Sequence, residues 1–391
     1  MSTRAADLPV SARGRSLGLP RARAAEAAPE LVVVIPTYCE RANVEELVRR
    51  LRKVLTGLRW EAIFVDDDSP DGTAQVIRGI GRRDARVRCL HRLGRRGLAG
   101  ACIEGMLASC APHIAVMDAD LQHDETILPR MLQYLREGGA ELVVGTRYGG
   151  DGSVGEWDAA RALISRRATR LSRLVYRQSV SDPMSGFFML KRGLFEEAMR
   201  KLSTSGFKLL LDILATIKRP VAIQEVSYTF RTRERGESKL DSVVVWDFAM
   251  LMLDKLLGGY VPMRFVAFSL VGGAGIAVHM GVIALLLRLT ALAFPVAQAL
   301  AAGGTMVFNY SVNNVLTYRD QRRTGLAWLT GLASFMGACS LGALANVMIA
   351  TLAFDHHVPW QLAALSGVCV GAVWNYAMTS RFTWGKARAA G

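Results

Sequence analysis

The chain has no cysteine pattern on which a scaffold could be built. Its six cysteines, Cys39, Cys89, Cys102, Cys110, Cys339 and Cys369, include no CxxC pair and no nearby His at zinc spacing. This argues against a disulfide framework or a structural zinc site and places the polar part in a reducing compartment. Charge is scarce too: Asp, Glu, Lys and Arg make up 21% of 391 residues, against 51% hydrophobic residues and a mean hydropathy of +0.22. Neither a disordered chain nor an ordinary soluble enzyme has that balance. Acid is the scarcer sign, with 34 Asp and Glu against 48 Lys and Arg. The net charge of +14 fits an anionic partner: nucleic acid, acidic lipid or a phosphorylated substrate. Residues 1–29 lack the continuous apolar core of a secretory signal. Arg4, Arg13, Arg15, Arg21 and Arg23 outnumber Asp7 and Glu26 there, so a disordered basic tail is expected.

Beyond Arg264 charge disappears from four stretches, 265–287, 289–318, 324–354 and 358–380. Each reaches the ~20 residues with which a helix crosses a bilayer, so four transmembrane helices are expected within 263–385. The loop with Arg319, Arg322 and Arg323 and the tail with Arg381, Lys386 and Arg388 should both be cytoplasmic; the turn with Asp355, His356 and His357 has no Lys or Arg and should lie outside. Arg288, beside the other outer turn, is an exception. Both termini are then cytoplasmic, including the tail 386–391. The segment around Asn309, Tyr310, Thr317 and Tyr318 repeats at an offset of 66 residues as Asn375, Tyr376, Thr383 and Trp384. Two duplicated helical hairpins would produce this, with amides bonding between helices and aromatics at the interface.

Residues 30–240 alternate strand and helix. Short β-branched runs at 31–35, 62–65, 87–90 and 114–117 frame helical spacing at 43–55, 73–80 and 97–108, and the first run is expected to stop at Pro36. This is an α/β pattern: a doubly wound, mostly parallel sheet that binds ligands at the carboxyl ends of its strands. The polar clusters fall at those ends: Pro36-Thr37-Tyr38-Cys39-Glu40, Asp66-Asp67-Asp68 and Asp118-Ala119-Asp120-Leu121-Gln122. Asp118 and Asp120 can present two carboxylates to a hard divalent cation bridging a diphosphate, and Gln122 can add a neutral oxygen. An isolated Asp-x-Asp is as well read as a turn or cap, and Asp71 with Thr73 reads as turn and cap before the second helix.

Seven segments in order are more specific. They are Val34-Ile35-Pro36-Thr37-Tyr38-Cys39-Glu40, Val65-Asp66-Asp67-Asp68-Ser69-Pro70-Asp71-Gly72-Thr73, Met117-Asp118-Ala119-Asp120-Leu121-Gln122-His123, Gly145-Thr146-Arg147-Tyr148, Ser185-Gly186-Phe187-Phe188, Gly206-Phe207-Lys208 and Arg233-Glu234-Arg235-Gly236-Glu237-Ser238-Lys239-Leu240. Together they resemble family 2 glycosyltransferases of the GT-A fold, and within them the polyprenol-phosphate mannosyltransferases (dolichol-phosphate-mannose synthases). The helical region is similar to the GtrA-like membrane domain fused to some of these enzymes, so the resemblance covers about nine-tenths of the chain. Cys39 stands where the family usually has Asn, and Asp124 where Pro is common.

The resemblance implies an inverting transfer of mannose from GDP-mannose to a polyprenyl phosphate, with Mg2+ or Mn2+. Pro36, Tyr38, Glu40, Val65 and Asp67 match the nucleoside site; Asp118, Ala119, Asp120 and Gln122 match the metal and diphosphate site. Arg147, Arg161, Lys208, Arg233 and Lys239 match or adjoin positions around the donor diphosphate and acceptor phosphate. Membrane lipid is then the other anionic partner, and no nucleic acid is expected. A UDP-sugar donor shares the scaffold and is the alternative within the class; a lipid-linked-sugar flippase is the alternative outside it. A processive polysaccharide synthase is disfavoured, since the chain has no Gln-x-x-Arg-Trp. The Arg-rich, apolar-spaced segment near 157–178 reads as an amphipathic helix on an anionic membrane surface, and the linker 241–262, apolar from 243 to 257, as a second interfacial helix.

Overall fold

The computed structural model describes residues 28–147, 172–176, 178–203, 208–231, 242–258 and 260–385. Arg161, Arg233 and Lys239, most of the expected amphipathic helix near 157–178, the tail before residue 28 and the segment 386–391 lie outside the described residues.

Seven strands form one sheet in the order β3-β2-β1-β4-β6-β5-β7. They are β1 (Leu31–Thr37), β2 (Trp60–Asp66), β3 (Val87–His91), β4 (His113–Val116), β5 (Leu142–Thr146), β6 (Phe188–Lys191) and β7 (Ile223–Ser227). The helices of this half are α1 (Arg41–Val54), α2 (Thr73–Gly81), α3 (Leu98–Leu107), α4 (Leu128–Arg136), α5 (Arg192–Ala198) and α6 (Leu209–Thr216). Successive residues of a strand point to opposite faces, and in β1 both faces are covered. Leu31, Val33 and Ile35 pack with Leu47 and Leu51 of α1, Ile77 of α2 and Leu132 of α4. Val32 and Val34 pack on the other face with Met106 of α3, Phe195 of α5 and Leu210 and Ile213 of α6. Burial on both faces explains why β1 reads as a continuous apolar run rather than an alternating one.

Two details differ from the sequence expectation. β6 runs antiparallel to both neighbours, β4 and β5. β1 also continues through Pro36 to Thr37, paired with β2 throughout. In a parallel sheet a residue's N–H and C=O bond to the same neighbour, and alternate residues use alternate neighbours. Val34 C=O accepts from Met117 N–H on the β4 side, and Thr37 C=O accepts from Asp67 N–H on the β2 side. Pro36 therefore faces β4, which has already ended at Val116 opposite Val34. Its missing N–H costs no ladder bond.

After α7 (Ser242–Leu256) come four long helices: α8 (Met263–Leu289), α9 (Phe294–Val315), α10 (Leu326–Asp355) and α11 (Trp360–Met378). They pack chiefly as two hairpins, α8 with α9 and α10 with α11. Among the described residues, Met263–Leu289 and Leu326–Ala345 are each long and apolar enough to cross a membrane. The repeat seen in the sequence has a packing counterpart. Asn309 of α9 lies against Gly275 of α8, and Asn375 of α11 lies against Gly342 of α10; at either glycine a Cβ would collide with the amide.

Candidate active site

The site lies at the carboxyl ends of the paired strands β1 and β4, where the strand order reverses, with β2 on the far side of β1 and β6 on the far side of β4. This is the switch point of the sheet, where an open α/β fold leaves room beyond its strand ends. Asp118 lies two residues past β4. Its backbone N–H donates to Nδ1 of His123 at 3.2 Å. His123 is buried, stacked on Phe187 at 5.1 Å and 17°, with the rings of Tyr228 and Phe230 edge-on to it. Loss of hydration pushes the imidazole pKa down to about 4, against the opposing pull of Asp120. The neutral ring can offer Nδ1 as an acceptor, which an imidazolium could not. A Cβ on Gly186 would come within 3.2 Å of Asp118 Oδ2, so the carboxylate rests on bare backbone.

Asp120 is buried, and its Oδ1 accepts the N–H of Gln122 at 3.1 Å across Leu121, which sits at φ +63°. Ala119, between the two acids, is buried as well. Gln122 is zipped to the chain after β7: its Nε2 donates to Arg231 C=O at 3.1 Å, and its C=O accepts Arg231 N–H at 2.9 Å. The Arg231 side chain reaches Asp124 Oδ1 and Glu125 Oε2, both at 2.8 Å. Asp124 thus caps the turn at Thr126 and anchors the strand end, work that a Pro at this position could not do.

The cationic side of the crevice is held as firmly. Arg147, just past β5, donates from Nε to Asp182 Oδ2 at 2.9 Å and lies over the Phe230 ring at 5.2 Å. Asp182 is 2% exposed and Arg147 13%, so the pair is largely out of water. Lys208 stands at the N-cap position of α6, with no capping bond from its side chain. Loss of hydration, and next the positive Arg147, hold its ammonium pKa below the ordinary 10.5, while Asp182 and Asp118 pull the other way. Arg147, Lys208, Asp182 and Asp118 therefore share one electrostatic neighbourhood.

On the opposite flank the residues expected at the nucleoside line the ends of β1 and β2. Tyr38 has the Arg96 guanidinium 4.3 Å above its ring. Glu40 Oε2 accepts from Asn43 Nδ2 at 2.7 Å, and Glu40 N–H donates to Thr73 Oγ1 at 3.1 Å. Val65 is buried, and its C=O accepts from Thr37 Oγ1. Asp67 has both oxygens engaged, one by Arg92 and the other by Gly97 N–H at 2.7 Å. Burial raises its carboxyl pKa against those bonds.

Residues 32–199 match glycosyl transferase family 2, and residues 267–384 match the GtrA/DPMS transmembrane domain. The dolichol-phosphate mannosyltransferase of Pyrococcus furiosus is 32% identical over 354 residues, 90% of this chain and 98% of its own. The chain belongs to the dolichol-phosphate mannosyltransferase family. The enzyme of the same name from Saccharomyces cerevisiae is 36% identical over 225 residues, 55% of this chain and 83% of its own. The solved structure of glucosyl-3-phosphoglycerate synthase from Mycobacterium tuberculosis covers 58% of this chain and 79% of its own, at 21% identity and a TM-score of 0.45.

In this mannosyltransferase, no group of three or more His, Cys, Asp or Glu among the described residues could hold a metal by itself. The oxygen-only set of Asp118, Asp120 and Gln122 still fits Mg2+ or Mn2+, because such an ion keeps water and takes phosphate oxygens beside one or two carboxylates. Asp118, at 41% exposed, is the more open of the two acids. The structure thus brings Asp118, Asp120, Gln122, Arg147 and Lys208 to one sheet edge. Three residues around the site escaped the sequence reading. Arg92 clamps Asp67 across 25 residues, and Asp182 clamps Arg147 across 35. Arg231 shows no periodic signal. Each stands 25 or more residues from the charge it pairs with, and the sequence carries no rule for such a pairing.

Proposed function

We propose that this mannosyltransferase is a metal-dependent, inverting enzyme that moves mannose from GDP-mannose to a polyprenyl phosphate of the dolichyl or undecaprenyl type. The product is polyprenyl-phosphate-mannose, made at the cytoplasmic face of the membrane. The observation that carries this reading is the gathering of an oxygen-only acidic pair, Asp118 and Asp120, and two cations, Arg147 and Lys208, in one electrostatic neighbourhood, with Arg147 held by the buried Asp182. Two anionic groups must approach each other in such a reaction, and the crevice supplies a partner for each.

A phosphate monoester has its second pKa at about 6, so the acceptor is already an anionic nucleophile near neutral pH. No side chain need first remove a proton. A phosphate oxygen forms a bond to the sugar carbon while that carbon's bond to the donor diphosphate breaks, and the electron pair leaves with the diphosphate. Arg147, fixed by Asp182, and Lys208 would hold the acceptor phosphate, with Arg161, Arg233 and Lys239 completing the crescent. Pro36, Tyr38, Glu40 and Val65 would border the nucleoside, and Asp67 would serve it by fixing the Arg92–Gly97 loop. A divalent ion on Asp118, Asp120 and Gln122 would offset the charge of the departing diphosphate. The same reading takes all four long helices as spans, with the basic turn at Arg319, Arg322 and Arg323 beside the catalytic half.

Release of GDP or UDP, measured with a panel of sugar nucleotides and a short polyprenyl phosphate, tests the donor and the metal together. GDP release from GDP-mannose that depends on added Mg2+ or Mn2+ is expected. UDP release from a UDP-sugar at equal or greater rate would overturn the donor.

A further inference from the structure

α7, the only described helix between the catalytic half and the long hairpins, is fastened to each by an ion pair. Near its C-terminal end, Lys255 Nζ lies 2.5 Å from Asp212 Oδ1 and donates to Thr216 Oγ1 at 3.0 Å and Lys201 C=O at 3.3 Å. The other oxygen of Asp212 accepts Ser203 N–H at 2.7 Å, and Asp212 N–H donates to Lys208 C=O at 3.1 Å. Asp212 therefore stands one helical turn beyond Lys208 and bonds to its backbone. The Lys255 and Asp212 side chains are 10% and 3% exposed.

Nearer the start of α7, Asp247 Oδ2 accepts from Arg319 at 2.8 Å. Arg319 belongs to the turn that joins the two hairpins. The Asp247 side chain is 11% exposed and that of Arg319 33%, so this pair is partly buried. Asp247 and Lys255 are eight residues apart, which places them ~12 Å apart along the helix and about 80° apart around it. Between them Phe248 and Leu251 pack against the core beneath the sheet. One flank of α7 thus grips α6, and the adjoining flank grips the hairpin turn.

The covalent chain already joins the two halves; what the ion pairs add is a fixed angle between them. A buried pair such as Lys255–Asp212 is poor as a source of stability, but removing one partner is strongly unfavourable, so it selects a single arrangement; the partly buried Asp247–Arg319 pair does so more weakly. A lipid phosphate reaches the enzyme at the level of the bilayer surface, where the height of the cation that receives it matters.

We propose that α7 is a strut that fixes Lys208, and with it the acceptor phosphate, relative to the membrane hairpins, with Asp212, Lys255, Asp247 and Arg319 as positioning residues. This rests on Lys208 receiving the acceptor phosphate. The test uses the full chain in lipid nanodiscs, with a long polyprenyl phosphate in the bilayer, and in detergent with a short one. Asp247→Asn should raise KM for the bilayer acceptor by about fivefold or more. It should leave kcat/KM for the short acceptor and the affinity for donor within twofold. Amide exchange in 209–216 should become faster, and the exchanged pair Asp247→Arg with Arg319→Asp should recover most of the loss. Equal damage with both acceptors, or no change in exchange at 209–216, overturns the strut. If Asp247→Asn does not fold, the exchanged pair decides: wild-type preference for the bilayer acceptor supports the strut, and its loss overturns it. Lys208→Ala is measured beside these. If it lowers donor affinity and leaves acceptor KM unchanged, the acceptor reading fails, and exchange at 209–216 alone then decides the strut.

Discussion

Tyr318 and Trp384 stack ring on ring, 4.1 Å apart and 5° from parallel, although 66 positions separate them in the chain. They occupy equivalent places in the two hairpins, so each meets its own counterpart. Phe268 and Phe335, each seven residues before the paired glycine of its own hairpin, Gly275 or Gly342, also meet, at 6.4 Å. Self-contact between counterparts is what an approximate two-fold axis between duplicated units produces.

The glycine notches of those hairpins give a test by overpacking. Gly342→Ala would drive a Cβ into Asn375 Oδ1, and Gly275→Ala into Asn309. Each change should destabilise the protein by about 1–3 kcal/mol, and adding Asn375→Ala to Gly342→Ala should restore most of that. Thermal unfolding in detergent reads the effect. Strictly additive losses in the double variant would mean that the two residues do not press on each other.

Gly186→Ala tests the bare-backbone support under Asp118. The new methyl would sit 3.2 Å from Oδ2, tighter than ordinary contact, and 3.5 Å from His123 Cε1, an ordinary one. Displacing one ligand of the proposed metal site should lower metal-dependent transfer by about 10-fold or more. Donor affinity measured without metal should hardly change. Normal metal titration by the variant would remove Asp118 from the site.

Lys208 sets an expected alkaline limit. Its pKa lies below 10.5 because the ammonium is poorly hydrated and beside Arg147. As pH rises through that lowered value the charge is lost, so kcat/KM for the acceptor should fall at a lower pH than an ordinary lysine would impose. Lys208→Arg, which keeps its charge over this range, should remove that limb at some cost in geometry. A profile unchanged by Lys208→Arg would assign the limb to another group.

Cys39 sits at φ +58°, a left-handed backbone that side chains other than Asn, Asp and Gly disfavour. Its side chain is exposed, and its N–H donates to Ser69 Oγ at 2.9 Å. Cys39→Asn should therefore stabilise the protein by about 0.5–1 kcal/mol without touching the core. A calorimetric or fluorescence melt decides this. An unchanged or lower midpoint would show that the turn is not strained.

How far the sequence could be read follows from burial. Strands such as β1, covered on both faces, leave apolar runs that no loop would carry, and charge-free stretches of 23 residues or more mark the long helices. The acids after β1, β2 and β4 were legible because they interrupt such runs. β6 was not, since four residues carry no period and nothing in Phe188–Lys191 records the direction in which they run. Arg147 and Lys208 came from family resemblance, not from pattern. Their partner Asp182 came from neither, because a buried ion pair leaves no trace of its pairing in the sequence.

The reversed strand has a further consequence. A parallel strand offers a ligand only the loop that follows it, whereas β6 begins at the rim where its neighbours end, Phe188 opposite Val116 and Val144. The loop that precedes β6 therefore delivers Asp182 and Gly186 to the same edge as the loops that follow β4 and β5. One inverted strand adds a separate rim segment that touches both the acidic pair and the cationic side. An engineer could exchange residues 179–187 to alter how acceptor and donor are brought together while leaving the turns after β1 and β2 intact.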